Sequence, residues 1–136
     1  MDYYLSTTNC VNRLVREWKT YKKLIIAVDF DGTIYDTYGE GRVFNDVINL
    51  LKRCAKIGAY FIVFTCRRDD EQHIIIDCLN ENNLPYDKIN DNVEFTMVTG
   101  RKVYYNIFLD DRAGLLSAYE ILSDAVTIME KENNIA

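Results

Sequence analysis

"LIIAVDFDGTIYD", residues 24–36, decides the fold. An unbroken apolar run, Leu24 to Val28, leads straight into Asp29 and Asp31, with Gly32 and Thr33 close behind. The run is too short for a helix and does not alternate. It therefore predicts a strand buried on both faces, the kind found in parallel sheets. Carboxylates at the end of such a strand are costly unless something pairs with them. What meets Asp29 and Asp31 is the question the rest of the chain has to answer.

Upstream, Val11, Leu14, Val15 and Trp18 recur at helical spacing. They predict an amphipathic helix over 8–21, capped by Thr7 or Thr8, so that residues 1–22 pack an N-terminal helix on the core. Downstream, Phe44, Val47, Ile48, Leu51 and Ala55 predict a helix over 43–57, with Gly58 as the residue that ends it. "AYFIVFT", 59–65, is a second apolar strand, and 69–82 a helix with Ile75, Ile76 and Leu79 inward. Residues 86–99 are ambiguous, with "VEFTMV" either a short strand or half a hairpin. "YYNIFLD", 104–110, is a third strand, and 114–131 a last helix with Leu115, Tyr119, Leu122, Val126 and Met129 on one face. Strands alternating with helices imply an α/β fold: a three-layer, Rossmann-like open sheet, mostly parallel, with helices on both faces. The length of 136 residues fits a single domain with a sizeable core.

Composition narrows the function. No apolar run approaches a membrane span. The opening "MDYYLSTTNC" lacks a basic region followed by an apolar one, so a cytoplasmic location is expected. Cys10, Cys54, Cys66 and Cys78 are widely spaced and are expected as free thiols. That spacing and the single histidine, His73, argue against zinc. A net charge of −5 without clustered Lys or Arg disfavours a duplex nucleic acid footprint, but leaves room for a small phosphorylated ligand at one local site.

Ligands of such sheets bind beyond the carboxyl ends of the strands. There the sequence places Asp29 and Asp31 after the first strand, Thr65, Arg67 and Arg68 at the second, and Asp110, Asp111 and Arg112 after the third. Carboxylates gathered at one edge repel each other unless a cation neutralises them. Oxygen ligands without His or Cys suit Mg²⁺, and Mg²⁺ suits a phosphate substrate. A lysine is expected nearby, and Lys102 precedes the third strand.

"DFDGT", the strand-terminal "FIVFT", Lys102 and "IFLDD" resemble, in order, the four motifs of the haloacid dehalogenase (HAD) superfamily of phosphohydrolases. "RKVYYNIFLDDRA" is particularly similar to small, capless bacterial and phage members, and the resemblance spans about residues 24–116. It implies an aspartyl-phosphate mechanism. Asp29 would be the nucleophile and Asp31 the general acid, then base. Asp29, the backbone carbonyl of Asp31 and Asp110 would hold Mg²⁺, with Asp111 a further ligand through water or a supporting partner. Thr65 would bind the phosphoryl group, Lys102 would neutralise its charge, and Gly32 would let the chain turn away.

The sequence departs from that pattern in two places. Val103, not proline, follows Lys102, so Lys88 competes for the lysine's role. Only "YDTYGEGR" stands where many relatives insert a cap, so the site is expected to be open, serving a large substrate or closed by a second subunit. "TCR", 65–67, resembles the "S/T-x-R" of polynucleotide 3′-phosphatases and makes Arg67 a phosphate or substrate contact.

The expected function is a Mg²⁺-dependent phosphomonoester hydrolase, with a nucleic-acid-end phosphatase and a non-catalytic binding module as alternatives. Two rival motifs fit worse. An EF-hand loop starting at Asp29 would need glycine where Ile34 stands, and a receiver domain would need its acidic pair in the reverse order.

Overall fold

A computed structural model describes residues 1–133. After a 3-10 turn at Tyr3–Leu5 come helix α1 (Thr7–Tyr21), strand β1 (Leu24–Asp29), helix α2 (Asn45–Ala55), strand β2 (Ala59–Phe64), helix α3 (Gln72–Glu81), strands β3 (Lys88–Ile89) and β4 (Ile107–Leu109), and helix α4 (Leu115–Glu132). The four strands form one all-parallel sheet in the order β3-β2-β1-β4, flanked by helices in a Rossmann-like three-layer arrangement.

β1 is the hub. Asp29 is in register with Phe64 of β2, and Val28 with Leu109 of β4. The chain first builds outward from β1 to β2 and β3, then returns to the other side of β1 for β4. The crevice between the ends of β1 and β4 is therefore the topological switch point, where ligands of open parallel sheets bind.

The two faces of the sheet are covered differently. Leu24, Ile26 and Val28 of β1, Phe61 and Val63 of β2 and Leu109 of β4 share one face, and they join the large core with Trp18, Leu51, Ile75, Leu122 and Val126 from the helices. Ile25 and Ile62 point the other way. There they meet Val93, with Tyr60, Phe64, Val103 and Tyr105 around them, so the irregular chain between β3 and β4 builds that layer.

Several local expectations change. The cap of α1 is Ser6, whose Oγ accepts from Asn9 N at 3.2 Å, because Thr7 and Thr8 already lie within the first helical turn. "VEFTMV" is neither strand nor hairpin. It turns at a Thr96 N to Val93 O bond of 3.1 Å, which leaves Val93 buried and Met97 outside. The third outer rung comes instead from the two-residue β3. The expected strand over 104–110 shrinks to Ile107–Leu109, because Tyr104 N donates to Asn92 Oδ1 and Tyr105 packs on Phe64 and Phe108. All four cysteines are free thiols, and burial pushes Cys54 up to about 12. His73 is exposed. No described helix is long and apolar enough to cross a membrane.

Candidate active site

The switch point carries the densest cluster of carboxylates. Oxygens of Asp29, Asp110 and Asp111 lie within 4.8 Å of one another. Asp29 is the last residue of β1, and Asp110 and Asp111 follow β4, so adjacent parallel strands deliver the three groups to one point. Burial, a hydrogen bond that protonated Asp29 donates to Asp111, and the nearby charges of Asp110 and Asp111 raise Asp29 to about 7. Like charges this close cannot all ionise without a compensating cation.

Thr33, quoted in the sequence motif but given no role there, organises this cluster. It is fully buried, and its hydroxyl lies 3.2 Å from Asp29 Oδ2 and 3.1 Å from Asp111 Oδ1 while accepting from Asp111 N at 3.0 Å. Gly32 is needed for the same approach. Its φ is +81°, and a Cβ there would stand 2.9 Å from Asp111 Oδ2. Asp110 is fixed by Arg112 N, which donates to its Oδ1 at 2.9 Å.

Asp31 faces a different partner. Arg67 Nη2 donates to Asp31 Oδ1 at 2.7 Å and Nε to Oδ2 at 3.1 Å, a two-pronged ion pair. Thr37 Oγ1 donates to Asp31 Oδ1 at 2.9 Å, and Glu71 holds the far side of the guanidinium at 3.3 Å. The Arg67 side chain is only 17% exposed. The carboxylate of Asp31 thus stands outside the Asp29–Asp110–Asp111 cluster, and Arg67, expected as a phosphate contact, is engaged with Asp31. Thr65 turns its hydroxyl to Arg67 N at 3.0 Å, while Asn90 clamps its backbone, accepting from Thr65 N and donating to Thr65 O at 2.9 Å each. The sequence alone does not single out Asn90, Thr37 or Glu71. For Glu71 the i,i+4 spacing from Arg67 was the available signal.

The lysines do not join the cluster. Lys102 is exposed and lies over the Tyr105 ring, 5.9 Å from its centroid. Lys88 pairs with Glu94 at 3.4 Å. The cluster opens into a cleft of about 580 Å³ whose lining cations are Arg42 and Arg112, with Tyr35, Thr37, Tyr38, Phe44 and Cys66 along the wall. The residues between β1 and α2, 30–44, form that wall without building a cap domain.

The acidic set fits a hard divalent cation. Its donors are carboxylate oxygens, they converge, and among the described residues no lysine or arginine is paired to Asp29, Asp110 or Asp111.

No family model matches the sequence, and no curated protein does. Among solved structures, a conserved protein coded by a locus from Bacteroides thetaiotaomicron is similar, with a TM-score of 0.61 and 26% sequence identity over 80% of this chain and 92% of that one.

Proposed function

We propose that the chain is a Mg²⁺-dependent phosphomonoester hydrolase of the haloacid dehalogenase type, working through an aspartyl phosphate. The observation that carries this reading is the convergence of Asp29, Asp110 and Asp111 at the switch point, with a second aspartate, Asp31, two residues beyond Asp29 and lining the same cleft. Asp29, Asp110 and Asp111 would hold the Mg²⁺, which when bound offsets the repulsion between carboxylates and phosphate.

The chain's own residues divide the chemistry. An Asp29 oxygen attacks phosphorus and the bond from phosphorus to the leaving oxygen breaks. Asp31 gives that oxygen its proton. Water then attacks the phosphoryl group on Asp29 and yields its proton to Asp31, and inorganic phosphate departs. The Arg67 pair suits this second half, since its two hydrogen bonds fix the position of the Asp31 side chain. In the first half Asp31 must carry a proton, so the pair has to loosen, and the phosphate oxygens of the substrate give Arg67 another partner.

Positive charge expected from Lys102 is not beside Asp29, so neutralisation of the nucleophile would fall chiefly to a cation held by Asp29, Asp110 and Asp111. Asp29→Asn keeps the shape and removes the nucleophile. Wild type is expected to release p-nitrophenol from p-nitrophenyl phosphate only with Mg²⁺, and Asp29→Asn to lose at least about a thousandfold. Activity retained in that variant would end the mechanism.

A further inference from the structure

Tyr38 has no structural occupation. It is 81% exposed, yet it stands in the lining of the cleft that holds the carboxylates. An aromatic ring left in water gives up the burial that usually stabilises it. The turn carrying it is nevertheless firmly built. Asp36 accepts from Gly41 N at 2.8 Å and from Glu40 N at 3.3 Å, and Gly39 N donates to Asp36 O at 3.2 Å. Gly39 and Gly41, at φ of +63° and +75°, make the reversal that few other residues allow. Thr37, next to Tyr38, is bonded to Asp31. The ring is thus held on a braced turn anchored to the site.

Charge limits what can lie beside it. Arg42 is already paired with Glu40 at 3.2 Å, whereas the Arg112 side chain has no carboxylate partner among the described residues. One unpaired guanidinium suits a substrate with few phosphates. The net charge of −5 does not attract a long polyanion.

We infer that Tyr38 is a specificity residue, stacking on a planar ring in the leaving group, and that the substrate is a free nucleoside monophosphate. This rests on the phosphatase reading above and deepens it. The ring need not react; it orients the phosphoryl group toward Asp29.

The test compares kcat/KM, with Mg²⁺, for nucleoside 5′- and 3′-monophosphates, a 3′-phosphorylated oligonucleotide, ribose 5-phosphate and glycerol 3-phosphate. The nucleotides are expected to exceed the two ringless esters by roughly tenfold, the value of one base–aromatic stack. Tyr38→Ala should collapse that ratio, mainly through KM, and Tyr38→Phe should restore it. An equal ratio in wild type and Tyr38→Ala overturns the inference, as does an oligonucleotide cleaved tenfold faster than any mononucleotide. Should no ester be hydrolysed, the phosphatase reading fails by itself. Calorimetric titration of wild type and Tyr38→Ala with AMP and with glycerol 3-phosphate then decides the stacking role: a preference for AMP that Tyr38→Ala loses supports it, and no preference overturns it.

Discussion

Gly32 matters because of what stands against it. Its φ of +81° already disfavours any side chain, and Asp111 Oδ2 occupies the space a methyl group would need. Gly32→Ala should therefore act twice. It costs about 1–3 kcal/mol in backbone strain, and it pushes Asp111 away from Asp29. The expected result is a lower melting temperature together with weaker Mg²⁺ binding by calorimetry. Mg²⁺ affinity equal to wild type would show that Asp111 does not need this approach. At this scale the sequence reveals residue types but not partners. The importance of Asp29 and Asp110 follows from their place at strand ends. That Thr33 bridges Asp29 and Asp111 does not, because the bridge spans 78 positions in the chain and a buried threonine is usually a core residue. The Arg67–Asp31 pair is hidden for the same reason, since it joins the ends of two strands 36 positions apart.

The strands show a device that no periodicity reveals. Two of them are short because side chains take over their ladder rungs. Asn106 N donates to Ile25 O at 2.8 Å while its Oδ1 accepts from Ile25 N at 2.7 Å, and Asp87 does the same for Phe61, at 2.9 and 2.8 Å. Asn90 closes the other end of β3 by holding both backbone groups of Thr65. The long buried elements, β1, α1 and α4, are legible because apolar spacing alone sets them. β3 and the limits of β4 are not legible, because an Asn or Asp that mimics backbone reads as a loop residue. Asn90 also sits at φ of +54°, a conformation asparagine tolerates better than most side chains. Asn90→Ala should thus lose two hydrogen bonds and gain strain, costing roughly 1–3 kcal/mol in urea unfolding. Thr65 would be freed and Arg67 N would lose its fixed acceptor, so kcat should fall with it. Unchanged stability and kcat would remove Asn90 from the support of the site.

For the molecule as a whole, the acidic cluster links folding to pH and, under the proposed function, would link it to the cation. Asp29 titrates near 7 when folded and near 3.8 when free of its neighbours. Below 3.8 both forms of the chain hold that proton. Between the two values only the folded chain keeps it, so the unfolded chain binds fewer protons and stability falls as pH rises. The stability linked to this group is therefore fully present in acid and lost as pH passes through about 7. A divalent cation held there, as proposed, would reverse the balance, because it would bind the ionised carboxylates, which only the folded chain assembles. Two melting curves in EDTA, at pH 5.5 and pH 8, should show the lower melting temperature at pH 8 as far as this site contributes. Millimolar Mg²⁺ should raise the pH 8 value by about 5 °C and the pH 5.5 value much less. Asn at position 29 carries no proton to lose, so Asp29→Asn should flatten the EDTA slope and shrink the Mg²⁺ increment together. Other carboxylates in this acidic chain also titrate, which makes the difference between wild type and Asp29→Asn the decisive quantity. If that difference is the same at both pH values and Mg²⁺ raises both proteins alike, the three aspartates neither share a proton nor bind the cation as a unit, and the electrostatic argument for the site falls with them.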